Sequence, residues 1–215
     1  MKKAIIFDMD GVLVDSEPLH VATELQVCRE RNIRIPFSEW KTFQGKTDAD
    51  IFGYIVSKFT DGSVHPKELI EHKRRLFMAR AHTIAMVPGA KEFVLLAMLR
   101  FELTGLATSS GREYLEKVLG KVHHLTPYFD SIVTRENVTF GKPDPEAYLV
   151  SAERLGLAPS ECWVVEDSEN GIRSAQAAGC SVIGIATSLS LERLIFLNVD
   201  FAAENFKDIA VFLGI

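Results

Sequence analysis

The chain has 215 residues, 47% hydrophobic and 25% charged, so it can bury one core plus a smaller insert and is neither disordered nor low in complexity. Its 24 Lys and Arg residues and 29 Asp and Glu residues give a net charge of −5, and no long basic tract occurs. Nucleic acid and anionic membranes are therefore not expected as partners, because their binding draws on clustered Lys and Arg.

The cysteines and the N-terminus indicate where the protein works. Cys28, Cys162 and Cys180 are an odd number without CxxC spacing, so we expect buried thiols in a reducing compartment, without disulfides or a zinc site. The apolar run at residues 4–7 is shorter than the ~7–15 residues of a signal peptide, and no run approaches the ~20 residues of a membrane span. We expect a cytoplasmic protein.

Short apolar runs, each followed by polar residues and a helical pattern, predict the strands of a parallel sheet with helices on both faces. The runs are residues 4–7, 103–107, 131–133, 163–165 and 182–185. Ligands bind at the carboxyl ends of such strands, so the polar residues after three of the runs should converge on one site. These residues are Asp8 and Asp10, Thr108 to Ser110, and Glu166 to Ser168.

Residues 15–85 contain no strand-like run and predict a helical insert. Apolar stripes at helical spacing occur within residues 21–28, 51–59 and 69–77, and Ser16 can cap the first helix. The predicted organisation is therefore a core of residues 1–14 and 86–215, interrupted by a helical domain of residues 15–85.

Three segments carry residues suited to catalysis. Asp8-Met9-Asp10-Gly11 places two carboxylates at a strand end, and Lys142 lies in a loop stiffened by Pro143 and Pro145. Glu166-Asp167 follows another strand, and the repulsion between these carboxylates would be relieved by a hard divalent cation. Oxygen ligands favour Mg²⁺. Taken singly, each segment also has an ordinary interpretation, as an acidic turn or a solvated loop.

Four motifs follow one another along the chain: DxDGxLxD, a Thr or Ser after a second strand, GKP, and an acidic strand end. Together and in this order they resemble the haloacid dehalogenase superfamily of phosphotransferases. The resemblance covers the whole chain, since the insert is similar to the helical cap of the subgroup that includes beta-phosphoglucomutase and many sugar-phosphate phosphatases. It implies an α/β fold, with a Rossmann-like parallel sheet core and an inserted all-helical cap.

The resemblance also implies a role for each matching core residue. Asp8 would be the nucleophile that becomes an aspartyl phosphate, and Asp10 the general acid and base. Thr108 and the Ser109 amide would hold phosphoryl oxygens, and Lys142 would neutralise charge on the nucleophile and the phosphate. The implied Mg²⁺ ligands are Asp8, the Asp10 carbonyl, Glu166 and Asp167.

In the insert, the residues suggested to contact substrate are His20, Gly45, Lys46, Thr47 and Lys73. Lys73 and Arg80 fall within the apolar arc of their helix. Either their stems cover apolar surface while their charges extend into water, or their charges meet an anionic substrate. The segment 43–48 resembles the substrate-specificity loop of the subgroup, but Asp48 stands where the mutase has an arginine. A carboxylate there would repel a second phosphate.

The expected function is a Mg²⁺-dependent phosphatase that acts on a small phosphorylated sugar or polyol, and one catalytic set per chain is compatible with a monomer. A phosphohexomutase of the beta-phosphoglucomutase type is the first alternative. A dehalogenase is a poor match, because that chemistry uses neither the second aspartate nor Mg²⁺. A catalytically silent sugar-phosphate sensor is the alternative from another class.

Overall fold

A computed structural model of the protein describes residues 2–40, 42–43 and 46–215. The chain forms two compact units. The core unit contains the residues through Asp15 together with Ile84–Ile215, and the helical unit contains Ser16–Thr83.

The core unit is built on a parallel sheet, as the sequence predicts. The strands of the described chain are β1 (Ala4–Phe7), β2 (Val14–Asp15), β3 (Ala85–Met86), β4 (Leu103–Ala107), β5 (Ser131–Val133), β6 (Cys162–Glu166), β7 (Ser181–Ile185) and β8 (Phe201–Ala203). The sheet has the order β5-β4-β1-β6-β7-β8 with every neighbouring pair parallel, and β2 pairs separately with β3 in antiparallel fashion.

The predicted strands are confirmed as β1, β4, β5, β6 and β7, but β8 was not predicted. The predicted strands are largely apolar, as expected for strands of a parallel sheet covered by helices. β8 lies at one edge of the sheet, as β5 does at the other, and Phe201 and Ala202 are only half-buried. Its sequence is Phe201-Ala202-Ala203, and because alanine is depleted in strands this short segment gave no strand signal.

Helices precede and follow these strands. The α-helices of the described chain are α1 (Glu17–Glu30), α2 (Phe37–Trp40), α3 (Asp48–Phe59), α4 (Pro66–Arg80), α5 (Ala90–Arg100), α6 (Arg112–Leu115), α7 (Glu146–Arg154), α8 (Glu169–Ala178), α9 (Leu191–Phe196) and α10 (Phe206–Leu213). A π-helical segment, Glu116–Val122, continues α6, and short 3₁₀ turns occur at Ala81–Thr83, Thr126–Tyr128, Arg135–Asn137 and Pro159–Glu161. None of these helices combines the length and the apolar character that a membrane crossing requires.

Alternate residues of β1 pack on opposite faces of the sheet. Ile6 belongs to a buried cluster that includes Tyr148 of α7 and Ile172 of α8. Phe7 instead makes an edge-to-face contact with Phe93 of α5, with ring centroids 6.0 Å apart. Both faces of β1 are thus covered by helices, which accounts for its complete burial.

The register of β1 aligns the carboxyl ends of three strands. Phe7 lies opposite Leu106 of β4 and Val165 of β6. The residues that follow Phe7, Leu106 and Val165 therefore emerge side by side at one edge of the sheet.

The helical unit has a core of its own. Val27 and Cys28 of α1, Phe52 of α3 and Leu69 of α4 belong to one buried apolar cluster. Cys28 in this unit and Cys162 and Cys180 in the core unit are buried, which confirms the expectation of buried cysteines, while the reducing compartment stays a prediction.

The prediction that Ser16 caps the first helix by its side chain is wrong. Ser16 lies at the N-cap position of α1, but its side chain makes no capping hydrogen bond. Its backbone is helical, with φ −87° and ψ −17°, whereas a capping serine adopts extended angles that aim its hydroxyl at the first free N–H groups.

Candidate active site

The predicted polar residues after β1, β4 and β6 meet at the carboxyl edge of the sheet. Asp8 directly follows β1, and its amide donates to the carbonyl of Val165 at 3.1 Å. Thr108 directly follows β4, and Glu166 is the last residue of β6. All three side chains belong to buried residues, so their polar groups must find partners within the site.

Lys142 contacts residues at the carboxyl ends of β1, β4 and β6. Its Nζ donates to Asp8 Oδ1 at 2.6 Å, to Glu166 Oε1 at 2.7 Å, to the Tyr148 hydroxyl at 2.9 Å and to the Ala107 carbonyl at 3.0 Å. Only 6% of the Lys142 side chain is exposed. Burial alone would lower the pKa of Lys142, but the carboxylates of Asp8 and Glu166 outweigh burial and raise it, so the ammonium remains charged.

Both oxygens of Glu166 are bound within the protein. Oε1 accepts from Lys142 and from the Tyr148 hydroxyl at 2.7 Å, while Oε2 accepts from the Ser168 hydroxyl at 3.0 Å and the Asp167 amide at 3.1 Å. Burial opposes the charge of Glu166, but Lys142 and these donors lower its pKa. Glu166 therefore holds Lys142 in position as an ionised partner.

Gly171, in the first turn of α8, allows Glu166 to occupy this position. A Cβ atom on Gly171 would lie 1.7 Å from Glu166 Oε1, which no real contact permits. The helix approaches the end of β6 closely only because this residue has no side chain.

Asp167 occupies the other side of the site. Its Oδ2 accepts hydrogen bonds from the hydroxyls of Ser188 and, at 3.3 Å, of Thr187. Burial and the neighbouring charge of Glu166 raise the pKa of Asp167 to about 7. Gly11 has φ +80°, a backbone angle that glycine adopts readily. A Cβ atom at this position would lie 1.9 Å from Asp167 Oδ2, so the absence of a side chain also leaves room for the carboxylate.

Asp10 is held by two hydroxyl groups. The Tyr114 hydroxyl donates to Oδ1 at 2.9 Å, and the Ser110 hydroxyl donates to Oδ2 at 2.8 Å. Asp10 is half-buried, in contrast to Asp8. The two carboxylates of the first motif are thus in different surroundings, one bound by an ammonium and the other by hydroxyls.

Thr108 and Ser109 directly follow β4 but differ in exposure. Thr108 is buried, and its hydroxyl oxygen accepts from the Ser110 amide at 3.0 Å, which fixes the turn after β4. Ser109 is exposed.

The acidic groups form a candidate cation site. Asp8, Glu166 and Asp167 each offer a carboxylate oxygen, and these oxygens lie within 4.8 Å of one another. Burial and the charges of Glu166 and Asp167 raise the pKa of Asp8 well above its usual value, although Lys142 opposes this shift. A buried group of oxygen donors that repel one another fits a hard divalent cation such as Mg²⁺.

The sequence-predicted residues of the helical unit are not all brought together. His20 and Lys73 are in contact, whereas Lys46 is exposed and Thr47 caps α3 by accepting from the Asp50 amide at 3.2 Å. Gly45 lies outside the described residues. Lys73 is buried, so the alternative in which its charge extends into water is wrong, while Arg80 is exposed.

Several partners of the site were not predicted from the sequence. They are Tyr114 of α6, Tyr148 of α7, and the adjacent Thr187 and Ser188 after β7. In the helical unit, Glu24 of α1 as a partner of Lys73 was not predicted either. None of these residues lies in the motifs. Thr187 and Ser188 do follow the predicted strand β7, so the rule that polar residues after strand ends converge could have found them.

Comparison with known proteins gives the family. A model of the haloacid dehalogenase-like hydrolases matches residues 5–185. Hexitol phosphatase A of Escherichia coli (strain K12) is 31% identical over 220 residues, which cover 97% of this chain and 94% of that protein. A phosphorylated carbohydrates phosphatase of Thermotoga maritima is 32% identical over 195 residues, or 87% of each protein.

A solved structure shows the same fold over the full length. It is a provisionally assigned beta-phosphoglucomutase of Thermotoga maritima, with a TM-score of 0.84 and 26% identity, and the match covers 100% of this chain and 99% of that chain. The chain belongs to the haloacid dehalogenase-like hydrolase family. Within that family it is a phosphoric monoester hydrolase, which confirms the class of enzyme predicted from the motifs.

Proposed function

We propose that the protein is a Mg²⁺-dependent phosphatase that hydrolyses a small sugar or polyol phosphate through an aspartyl phosphate on Asp8. The observation that carries the proposal is the buried group in which Lys142 contacts Asp8 and Glu166 while Asp167 lies beside them. Phosphoryl transfer depends chiefly on positioning and on positive charge around the phosphoryl oxygens, and this group offers both a fixed ammonium and a cation site.

In the first step, a carboxylate oxygen of Asp8 attacks phosphorus, and the bond between phosphorus and the ester oxygen breaks. Asp10, in its protonated form, gives its proton to the leaving alkoxide. In the second step, Asp10 accepts a proton from water as the water attacks phosphorus, and the bond to Asp8 breaks to release inorganic phosphate. Ser110 and Tyr114 orient Asp10 for both proton transfers.

The negative charge on the phosphoryl oxygens needs compensation in both steps. Lys142 supplies one positive charge, held 2.6 Å from Asp8. Mg²⁺ would be held by Asp8, the Asp10 carbonyl, Glu166 and Asp167, and when bound it neutralises phosphoryl charge and the carboxylates themselves. Thr108 and the Ser109 amide are proposed to bind the phosphoryl oxygens.

The substrate class is suggested by the relatives and by the helical unit. A hexitol phosphatase and a phosphorylated carbohydrates phosphatase match most of the chain. We propose that the helical unit is the substrate-selecting cap of the family. Substrate contact by His20, Gly45, Lys46, Thr47 and Lys73 in this unit stays a prediction.

The proposal is tested by replacing the nucleophile. Asp8→Asn should lower phosphate release by roughly 10⁴-fold or more, because an amide is not a comparable nucleophile. The matched control is Asp15→Asn, which changes an exposed carboxylate of the same motif and should leave turnover unchanged. A screen of sugar phosphates, polyol phosphates, phosphoglycolate and nucleotides gives the rates. Retained hydrolysis in Asp8→Asn would remove Asp8 from this role.

A phosphohexomutase is the second candidate, because the chain resembles the provisionally assigned beta-phosphoglucomutase over its full length. The two candidates differ in the acceptor of the phosphoryl group, which is water for the phosphatase and a sugar hydroxyl for the mutase. Supplying beta-glucose 1-phosphate with a glucose bisphosphate primer separates them. Phosphate release without glucose 6-phosphate supports the phosphatase, and glucose 6-phosphate as the main product supports the mutase.

A further inference from the structure

A cavity of about 750 Å³ lies within the helical unit. All of its described lining residues belong to that unit, so the cavity is a feature of the helical unit itself. Its volume falls in the range of pockets that bind small molecules and cofactors, about 300–1,000 Å³. The polar and aromatic residues of the described lining are Gln26, Arg29, Asn32, Arg34, Trp40 and Arg80.

One side of the cavity is a face of α1. Leu25, Gln26 and Arg29 line it, and residues three or four positions apart lie on the same face of a helix. Glu24 lies on the opposite face of α1, where its carboxylate is 3.3 Å from the buried ammonium of Lys73. The cavity is therefore separate from the contact between Glu24 and Lys73.

Three arginines give the cavity a positive charge. Arg29, Arg34 and Arg80 all line it and are all exposed, and no residue of its described lining is acidic. The ion pairs found among the described residues of the helical unit join other groups, namely Arg31 to Glu68, Lys58 to Glu39, His72 to Glu30, and Lys73 to Glu24 and Asp48. The three guanidinium groups are thus available to an anionic ligand.

The rest of the lining suits a flat ring. Trp40 is half-buried, and its indole makes an edge-to-face contact with Phe43, with centroids 5.4 Å apart and planes at 83°. This contact fixes the orientation of the indole, another part of which lines the cavity. Indole rings stack on flat heteroaromatic rings, and the side-chain amide of Asn32 offers hydrogen bonds to polar atoms at the edge of such a ring.

We propose that this cavity binds a phosphorylated compound that carries a flat aromatic ring, which is the chemistry of a nucleotide. Guanidinium groups match phosphate oxygens in charge and in geometry. Arg29, Arg34 and Arg80 bind the phosphates, and Trp40 contacts the ring. The proposal goes beyond the phosphatase function and does not depend on it, because it concerns binding to the helical unit alone.

Trp40 provides a direct measurement of binding. The chain has two tryptophans, and the other is Trp163 in β6, so Trp163→Phe leaves Trp40 as the only source of tryptophan fluorescence. The probes are the β,γ-imido analogue of ATP, tripolyphosphate and adenosine, each added without Mg²⁺. Because only the ATP analogue has both the phosphates and the ring, it should quench Trp40 and bind at least about tenfold more tightly than either other probe.

The arginines are tested one at a time by calorimetry with the ATP analogue. Arg29→Gln, Arg34→Gln and Arg80→Gln should each raise the Kd about tenfold, because each removes a charged hydrogen-bond donor. Arg75→Gln is the matched control, since Arg75 is exposed on the same helix as Arg80 but does not line the cavity. Its Kd should equal that of the wild type. Thermal unfolding of each variant verifies that it is folded.

Lys142→Ala separates this cavity from the candidate active site of the core unit, which also binds phosphate under the proposed function. The Kd of the ATP analogue should be unchanged in this variant. Binding that is lost in Lys142→Ala and retained in the three arginine variants would assign the ligand to the core unit and overturn the proposal. Equal Kd values for the ATP analogue and tripolyphosphate, or a wild type that gives neither quenching nor heat, would also overturn it.

Discussion

Gly11 links backbone conformation to the chemistry of the site. Its φ of +80° is accessible to glycine at no steric cost, and the missing Cβ leaves room for the Asp167 carboxylate. Gly62 has nearly the same φ, +83°, but no atom within 4 Å of a Cβ position. The two glycines therefore separate the cost of the backbone angle from the cost of displacing Asp167.

Gly62→Ala should lose about 1–2 kcal/mol of unfolding free energy, because alanine is strained at positive φ, and Gly11→Ala should lose more, because Asp167 must also move. Only Gly11→Ala should also lower kcat/KM, by about 100-fold, and weaken Mg²⁺ binding, because Asp167 must move. Chemical denaturation, steady-state kinetics and metal titration measure the three quantities. Equal kcat/KM of the two variants would show that activity does not depend on the observed position of Asp167.

Tyr148 connects Glu166 with Lys142, the ammonium that contacts the proposed nucleophile Asp8. Its hydroxyl accepts from Lys142 at 2.9 Å and donates to Glu166 at 2.7 Å. Tyr148→Phe should lower kcat by about tenfold and the unfolding free energy by about 1 kcal/mol, because a buried hydrogen bond to a charged group is lost. Tyr128→Phe, at a half-buried tyrosine outside the site, is the comparison. An unchanged kcat in Tyr148→Phe would mean that the Tyr148 hydroxyl does not contribute to positioning Lys142.

At the scale of elements, the close approach of α8 to the end of β6 fixes Glu166. Replacing a glycine within a helix by alanine ordinarily stabilises the helix by about 1 kcal/mol. Gly53 in α3 has open space around its Cβ position, so Gly53→Ala should show this gain. Gly171→Ala should instead lose stability and activity, because its Cβ would lie 1.7 Å from Glu166 Oε1. Thermal unfolding measures the stability of both variants. A Gly171→Ala variant more stable than the wild type would contradict the structure.

The elements also show which parts of the site the sequence could predict. Residues that directly follow apolar strands, such as Asp8 and Glu166, were found because the register of a parallel sheet gathers strand ends. Tyr114 and Tyr148 were missed because they reach the site from helices whose orientation no local pattern reports. The pairing of Asp48 with Lys73 was missed for the same reason, since it joins α3 to α4 across the core of the helical unit.

For the whole molecule, we expect the site carboxylates to couple the free energy of unfolding to pH and to the proposed binding of Mg²⁺. Burial and Glu166 raise the pKa of Asp167 from its usual 3.8 to about 7, so the metal-free folded protein keeps a proton that the unfolded chain releases. The stability from this proton is fully present below pH 3.8 and is lost as the pH rises to about 7. Mg²⁺ competes with the same proton, so its stabilising effect should increase over this range.

Mg²⁺ at about 100 times its Kd should raise Tm by roughly 5–10 °C near pH 8, and by much less near pH 5. Calorimetry with and without Mg²⁺ at both pH values measures the effect, and NaCl at equal ionic strength is the control. Chelation should also abolish phosphate release, and added Mg²⁺ should restore it. A larger Tm increase at the lower pH would contradict the assignment of Asp167.

The short β2–β3 ladder has an evolutionary consequence. Val14 lies opposite Met86, and Asp15 lies opposite Ala85, so the chain leaves and re-enters the core unit at neighbouring points. Any domain whose own two ends are adjacent can be inserted between β2 and β3 without disturbing the strand order around Asp8. Recombination can therefore exchange the inserted unit, which we propose selects the substrate, while the proposed catalytic residues of the core unit are inherited unchanged.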